Sequence, residues 1–472
     1  MKRKRDNDKN YYLNTGYEIL VKRQKFVTDG KFLYHYDGIW RRIDSDNTIR
    51  IMRKIIEKEF AEQGDFKMNL STPNMAKRIY EAIKTSPEIR EIKINLNNSP
   101  IVAIENGKTI LDLSTMKTRL IKPEDRQFWA FDYAYKPSAK WSDAPKFCEF
   151  VKKSIGIDLE KGNCGNNKRK HLLEIIAYLC TNIFGAKKMF VFLGPPSSGK
   201  SVMLRFLKDI IGEGNFAPLA LSDLGDKFRA QLLENVHVII NDELPCRGVR
   251  NLDILKKVIS CEELVVEKKK GTPFTFRPTV KVVFAANQLP RLDEYDSDNA
   301  FAERMTVLRF SKTIPQSEWQ TNLAECLFGE RDAIISCALK EVRPFITHPT
   351  EFTEDKEGLA VLKECENEND SVNQFIHDPS ICTIDKVRSN LDCRVSVKDL
   401  FDGYVRYCDE NAISAASMAT FRQQMAQLGF EHHKLRYRGR SVSCFTGIRL
   451  ATDCMLTLNE KGTNYENAFQ FT

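Results

Sequence analysis

A glycine-rich loop between an apolar run and a helix-like segment constrains this chain more than any other feature. The apolar run is Met189–Leu193, the loop is Gly194-Pro195-Pro196-Ser197-Ser198-Gly199-Lys200-Ser201, and the helix-like segment is Val202–Ile211. A strand that enters a Gly-x4-Gly-Lys-Ser loop and continues as a helix is typical of a phosphate-binding loop. The pattern predicts a strand, a loop and a helix that bind the phosphates of a nucleotide.

Each residue type in the loop suits that chemistry. Gly194 and Gly199 allow the backbone to curl, so that its N–H groups face the β- and γ-phosphates. Lys200 supplies a compensating positive charge, and Ser201 supplies a hydroxyl ligand for Mg²⁺. Residues 194–201 are therefore the predicted nucleotide-binding residues, and Lys200 is a predicted catalytic residue.

A second apolar run, Val236–Ile240, is followed by Asn241, Asp242 and Glu243. In a strand beside the loop strand, Asp242 would hold Mg²⁺ through water and Glu243 would act as general base towards the attacking water. The alternative is a strand that runs into a solvated turn. The spacing of about 40 residues after Ser201, enough for one crossover helix, favours the catalytic interpretation.

Two further candidates follow in the same region. Asn287 ends a third apolar run, Val280–Ala286, where its amide could position the water, although Asn and Pro also favour an ordinary turn. Arg304 precedes a fourth run, Thr306–Phe310, and is the candidate arginine finger that acts on the nucleotide of a neighbouring subunit. A helix-surface arginine is the alternative, and Arg291 and Arg309 are alternative fingers.

Besides the amino-terminal cluster Lys2–Arg5, basic residues concentrate in two segments. The first is a predicted hairpin within Leu264–Pro278 that presents Lys268, Lys269 and Lys270 at its tip. The second is an alternating β-wing that carries Lys434, Arg436, Arg438 and Arg440. Both are predicted DNA-binding sites because clustered cations neutralise backbone phosphates. A solvated loop is the alternative for the isolated triple lysine.

Bulk properties exclude several classes of protein. The chain of 472 residues has a net charge of +8, which is mild evidence for a polyanionic partner. No apolar run is long enough for a membrane span, and the basic amino-terminal residues Lys2–Arg5 are not followed by the apolar stretch of a secretory signal. The 13 cysteines show no metal-binding or disulfide spacing. We expect an intracellular soluble protein of the cytoplasm or nucleus, with Lys2–Arg5 either a nuclear signal or a phosphate-binding arm.

The pattern along the chain predicts a multidomain α/β protein. The expected divisions are a basic disordered tail at 1–10, an α+β domain at 11–135, a helical collar for oligomerisation at 136–185, a parallel-sheet ATPase domain at 186–345, an acidic linker at 346–392 and a winged-helix-like DNA-binding domain at 393–472. Hairpins are expected around Asp37-Gly38 and Asn106-Gly107.

Together these segments resemble superfamily 3 helicases, and among them the branch of the poxvirus-type primase–helicases and related phage and plasmid replication proteins. The loop resembles the A motif of that family, Asn241–Glu243 its B motif, Val266–Pro278 its B′ motif with Lys269 as the DNA-contacting lysine, and Asn287 the end of its C motif. The segments at 106–137 resemble its helicase-associated domain, and 397–449 resembles its C-terminal winged helix. Nearly the whole chain is covered.

The resemblance implies an AAA+-like core and an ATP- and Mg²⁺-dependent replicative DNA helicase. Such a protein works as a homohexameric ring that moves 3′ to 5′ on single-stranded and forked DNA. No catalytic constellation of a primase and no His-apolar-His pair occurs in the sequence, so priming or nicking is expected from a separate protein. Two other functions remain open: an origin-binding initiator that uses ATP as an assembly switch, and a DNA-packaging translocase.

Overall fold

The computed structural model describes most of the chain. The described residues are 2–23, 25–30, 32–43, 48–62, 64–92, 100–161, 167–224, 229–233, 236–244, 249, 251–266, 273–290, 300–347, 351–385, 393–411 and 415–451.

The amino-terminal part combines helices with a three-stranded antiparallel sheet, whose last two strands form the hairpin that the sequence predicts around Asp37-Gly38. Its elements are α1 (Lys2–Lys22), β1 (Phe26–Thr28), β2 (Leu33–Asp37), β3 (Ile39–Arg42), α2 (Thr48–Glu59), α3 (Gly64–Leu70) and α4 (Pro73–Lys84). Helices α2 and α4 each bury an apolar stripe at helical spacing, which includes Met52, Ile55 and Ile56 on α2 and Ile79 and Ile83 on α4.

The expected disordered tail at 1–10 is wrong, because α1 begins at Lys2. Its later turns carry Leu13, Tyr17, Leu20 and Val21, which pack in the same core as α2 and α4. This apolar contact supports a helix whose first turns are highly charged.

A second antiparallel sheet and two helices lead into the centre of the molecule. They are β4 (Ile101–Ile104), β5 (Thr109–Asp112), β6 (Lys117–Leu120), α5 (Pro145–Ser154) and α6 (Asn167–Leu179). Asn106 and Gly107 form the turn between β4 and β5 with positive φ angles of 56° and 86°, as a tight hairpin turn requires. Helices are therefore present in the predicted collar, where α5 and α6 pack in the same apolar core as the central sheet.

The central sheet has five parallel strands. The chain forms β7 (Met189–Leu193), α7 (Lys200–Ile211), β8 (Phe216–Ala217), α8 (Leu221–Leu224), β9 (Val238–Asn241), α9 (Leu252–Ile259), β10 (Leu264–Val266), β11 (Phe274–Phe276), β12 (Lys281–Ala286) and β13 (Met305–Arg309). The strands of the sheet lie in the order β13-β7-β12-β9-β8, and β10 and β11 form a separate antiparallel pair.

Both faces of this sheet are buried. Phe190, Phe192 and Val283 face the core that contains α6 and α7, whereas Val191 and Val282 face a second core that contains α9. Strands covered on both sides read as continuous apolar runs, and this explains why the sequence locates β7, β9, β12 and β13 to within two residues.

The rest of the chain is helical with a small carboxy-terminal sheet. It contains α10 (Leu323–Gly329), α11 (Arg331–Glu341), α12 (Arg343–Thr347), α13 (Lys356–Asn369), α14 (Ser371–His377), β14 (Cys382–Ile384), β15 (Arg394–Ser396), α15 (Val397–Glu410), α16 (Met418–Gln427), β16 (His432–Tyr437), β17 (Arg440–Thr446) and β18 (Ile448–Leu450). Strands β16 and β17 form the predicted basic hairpin.

The segment at 346–392 differs from the expected acidic linker. Helix α13 packs Val361 and Leu362 into the second core of the central sheet, and Gly358 lies against β13, where an added Cβ would come within 2.4 Å of the carbonyl oxygen of Val307. Helix α14 instead belongs to the carboxy-terminal core through Phe375 and Ile376. In the sequence, the many acidic residues of this segment make its few apolar positions difficult to recognise as core positions.

Two general observations concern the described part of the chain. None of its helices is both long enough and apolar enough to cross a membrane. The ten cysteines that lie within the described residues are all free thiols.

Candidate functional site

The loop between β7 and α7 has a shape that its neighbours enforce. Ser197 and Gly199 have positive φ angles of 59° and 93°. A Cβ at Gly194 would come within 2.1 Å of the carbonyl oxygen of Phe310, and a Cβ at Gly199 would come within 2.7 Å of the Phe150 ring. Both distances join the loop to residues outside it, Phe310 at the end of β13 and Phe150 on α5, so the sheet and α5 hold its curvature.

Lys200 places a buried ammonium group at the centre of this loop. Its Nζ donates hydrogen bonds to the carbonyl oxygens of Gly194 and Pro195, both at 2.7 Å, and lies 3.2 Å from Ser198 Oγ. Burial lowers the pKa of the amine, because a charged group loses hydration. The partners of Lys200 are neutral, so the loop holds a cation that an anionic ligand would stabilise further.

The amino end of α7 adds to this anion-binding character. Ser201 lies exposed in the first turn of the helix, where backbone N–H groups have no carbonyl partner within the helix. The helix dipole gives this end a partial positive charge. Residues 194–201 therefore fit the phosphates of a nucleotide, with the Ser201 hydroxyl available as a metal ligand.

The predicted acidic and amide residues lie at the same edge of the sheet as the loop. The amide of Gly194 donates to the carbonyl oxygen of Ala286, the residue before Asn287, and the amide of Leu244 donates to the carbonyl oxygen of Ala285. These bonds bring the ends of β7, β9 and β12 together. Asp242, Glu243 and Asn287 are exposed there, and carboxylate and amide oxygens are hard donors of the kind that suits Mg²⁺.

The strand order corrects one expectation. The acidic strand β9 does not lie beside the loop strand, because β12 pairs with both β7 and β9 and lies between them. Asn287 is therefore on the strand next to the loop, and the acidic pair is one strand further away. Local sequence patterns identify strands but do not determine the order of parallel strands joined by crossovers.

Asp242 has a partner that the sequence did not predict. Its Oδ1 lies 2.9 Å from Nζ of Lys208, in the third turn of α7. Glu243 is linked to Asn241, whose side-chain oxygen accepts a hydrogen bond from the Glu243 amide at 3.0 Å.

Arg304 lies at the amino end of β13, whereas the loop lies at the carboxyl end of the neighbouring strand β7. Strand β13 pairs in register with β7, with Met305 opposite Met189, so Arg304 is about 20 Å from Gly194 along the strand direction. Its Nε donates to Ser260 Oγ at 3.0 Å and its Nη1 to the carbonyl oxygen of Ala300 at 2.6 Å. The alternative Arg309 lies opposite Leu193 at the loop edge, and the alternative Arg291 lies outside the described residues.

A cleft of about 430 Å³ opens beside the loop. Its walls come from the loop, from α5 and from the segment 314–323, with Phe150 and Trp319 as aromatic lining residues. The amide of Ile314 donates to the carbonyl oxygen of Ser197 at 2.9 Å, and Lys153 bridges Glu149 and Glu318 at 3.1 and 2.8 Å. Sequence reasoning missed this cleft, although a tryptophan in the polar run at 316–322 was a signal.

The two predicted DNA-binding segments have different outcomes. Strands β10 and β11 confirm the flanks of the first hairpin, but Lys268, Lys269 and Lys270 lie outside the described residues. In the second hairpin Lys434, Arg436, Arg438 and Arg440 are all exposed. Lys434 pairs across the strands with Ser443, and Arg436 with Ser441, so these two basic residues share one face of the hairpin beside small side chains.

Comparisons with known proteins identify two segments of the chain. Residues 17–156 match the family described as "D5 N terminal like". Residues 192–304 match a "Family of unknown function (DUF5906)". No curated protein matches the chain.

Among solved structures, the chain is similar to two apo structures of the NrS-1 C-terminal region. The first has 12% sequence identity and a TM-score of 0.48, and the second has 11% identity and the same TM-score. Each comparison covers 91% of this chain and 98% of the other. The chain thus contains a segment similar to the D5 N-terminal family, followed by a DUF5906-like segment that includes the loop, the acidic pair, Asn287 and Arg304.

Proposed function

We propose that this protein is an ATP- and Mg²⁺-dependent DNA helicase that acts in the replication of a virus or mobile genetic element. The observation that carries the proposal is the buried Lys200 ammonium in a glycine loop, at the sheet edge where Asp242, Glu243 and Asn287 also lie. The match to the D5 N-terminal family, which is associated with viral primase–helicases, supports a role in replication. The parallel sheet with this loop supports an AAA+-like ATPase core.

In this proposal the loop residues bind and orient the triphosphate. Lys200 exchanges its carbonyl partners for phosphate oxygens, and the amides of the first turn of α7 donate to the same group. Glu243 accepts a proton from the attacking water, while the Asn287 amide orients that water. A bound Mg²⁺ would neutralise charge on the phosphates, with Ser201 and, through water, Asp242 as its protein ligands. The cleft beside Phe150 and Trp319 would hold the nucleoside part of ATP.

Arg304 is proposed to complete the site of a neighbouring subunit in a hexameric ring. Arg304 lies at the amino end of β13, at the opposite end of the strands from the loop. This distance supports action between subunits, because Arg304 is too far away to reach a nucleotide bound to the loop of its own chain.

A mixing experiment tests this arrangement. We expect Lys200→Met and Arg304→Ala to be inactive alone, whereas an equimolar mixture recovers about a quarter of wild-type ATP turnover, because randomly mixed rings contain some complete sites. Steady-state ATPase assays over a range of mixing ratios measure the recovery. If mixed assemblies of wild-type size recover no activity at any ratio, Arg304 does not act between subunits.

The basic hairpin of β16 and β17 is proposed as the wing of a winged-helix-like DNA-binding unit. We expect Lys434→Gln and Arg436→Gln each to weaken duplex binding and to reduce the slope of log affinity against log salt by about one, because each removes one phosphate contact. Fluorescence anisotropy at several salt concentrations measures the slope. The exposed Lys363 on α13 provides the control variant Lys363→Gln, and equal slopes in all three variants would contradict the assignment.

The first experiment on function compares ATP turnover with and without single-stranded DNA, together with strand displacement from duplexes that carry a 3′ or a 5′ tail. We expect DNA-stimulated turnover and displacement from the 3′-tailed substrate. Turnover without displacement of either strand would favour the origin-binding initiator. Turnover driven by duplex DNA without strand separation would favour the packaging translocase, and absence of ATP turnover would contradict all three.

A further inference from the structure

The ion pair between Lys208 and Asp242 joins two elements of the proposed site. Lys208 lies about 10 Å beyond Ser201 along α7, and Asp242 directly follows β9. The distance from Nζ to Oδ1 is 2.9 Å, and the side chains are 24% and 51% exposed. The pair therefore connects the acidic strand end to the helix that begins at the phosphate-binding loop.

Lys208 is held more firmly than an ordinary surface lysine. Its Nζ lies 6.0 Å from the ring centroid of Phe216 on β8, so the side chain is directed from α7 towards the sheet. One turn earlier on α7, Arg205 forms a more exposed ion pair. Its Nη2 lies 3.3 Å from Oε1 of Glu325, and the two side chains are 58% and 67% exposed. The same helix thus carries one ion pair at the site and one at the surface.

The position of Lys208 matters because an ammonium group and a hydrated metal ion compete for the same carboxylate. We propose that Lys208 is a positioning residue that competes with Mg²⁺ for the Asp242 carboxylate, so that binding of Mg²⁺–nucleotide must draw Asp242 away from it. This inference rests on the proposed function, in which Asp242 holds Mg²⁺. Lys208 thereby raises the Mg²⁺ concentration that nucleotide binding requires.

The replacement of Lys208 should change metal-dependent and metal-free binding in opposite directions. In Lys208→Gln the Asp242 carboxylate is unpaired, so it attracts Mg²⁺ more strongly and repels metal-free nucleotide. We expect the half-saturating Mg²⁺ concentration to fall about 1.5- to 5-fold, the range given by exposed ion pairs, while the affinity for nucleotide in EDTA decreases. A loss of helix stability alone would weaken both kinds of binding.

Equilibrium binding of a fluorescent ATP analogue, titrated with Mg²⁺ and repeated in EDTA, provides the test without catalysis. Lys208→Arg should behave as the wild type because it retains the charge, and Arg205→Gln should leave both affinities unchanged. In an Asp242→Asn background, Lys208→Gln should have no further effect on the Mg²⁺ midpoint, because the two residues act through one contact.

The outcomes separate this inference from the proposed function. If the wild-type protein does not bind the analogue in Mg²⁺, both are overturned. If the wild type binds with a clear Mg²⁺ dependence but Lys208→Gln has the same or a higher Mg²⁺ midpoint, only the role of Lys208 is overturned.

Discussion

Exchange of Lys200 for methionine is expected to reduce ATP turnover by about 100- to 1,000-fold, the loss typical when one preorganised donor to a developing charge is removed. Lys200 is the buried cation that contacts the loop carbonyls of Gly194 and Pro195. Methionine matches the length of the side chain and keeps its apolar packing, but it cannot donate to phosphate. Steady-state turnover at saturating ATP measures the loss.

Folding must be checked in the same variant, because the two carbonyl groups lose their donor. We expect the free energy of unfolding to fall by only about 1–3 kcal/mol, as for a buried acceptor left unpaired. Arg205→Met is the matched control, since Arg205 is on the same helix and its ion pair with Glu325 is exposed. Full turnover by a folded Lys200→Met protein would refute the role of the loop.

The central core is expected to lose stability below pH 6.5. His171 on α6 is only 2% exposed, and burial lowers its pKa from 6.5 to about 4. Burial also holds the pKa of His237 well below its usual value. A folded-state pKa below that of the unfolded chain means that the unfolded chain binds protons first, so the stability from His171 is present above pH 6.5 and is lost as the pH falls towards 4.

The size of this effect for His171 is about 2 kcal/mol at pH 5, from 1.36 kcal/mol for each pH unit below 6.5. His171→Phe should remove that part of the acid dependence, because phenylalanine keeps the ring contact with Phe352 and cannot be protonated. Glu174, on the same helix, has a pKa raised by burial, and its protonation partly offsets the loss at lower pH.

Urea unfolding at pH 7.5 and pH 5, followed by tryptophan fluorescence, measures the difference between the two proteins. The exposed His433 provides the control variant His433→Gln, for which we expect the wild-type pH dependence. If His171→Phe loses as much stability between these pH values as the wild type, the acid sensitivity of the core does not come from His171.

Much of the central sheet could be predicted because burial on both faces leaves a plain signal. Apolar runs mark β7, β9, β12 and β13, and the glycine pattern marks the loop. The sequence could not place β12 between the loop strand and the acidic strand, since strand order depends on which faces the crossover helices cover. For the same reason the contact of Lys208 with Asp242 could not be expected from positions 34 residues apart.

Two helices were not predicted because their sequences contain many charged residues. Helices α1 and α13 are rich in charged residues, and the few apolar residues that anchor them, such as Tyr17 and Val361, become informative only when a core is available to receive them. The aromatic wall at Trp319 was missed because it belongs to no regular repeat. Isolated tertiary contacts of this kind leave no periodic signal.

The packing of α13 on β13 has a consequence for how the protein can be divided into parts. Gly358 touches the backbone of the strand that follows Arg304, and α13 continues almost directly into α14 of the carboxy-terminal core. A fragment that ends at residue 345 lacks α13 and would expose apolar side chains of the central sheet to solvent. A fragment that ends after Asn369 keeps α13, so these side chains stay buried. The useful boundary for an isolated central α/β unit therefore lies beyond α13, and α13 with α14 forms a short helical connection between β13 and the carboxy-terminal core.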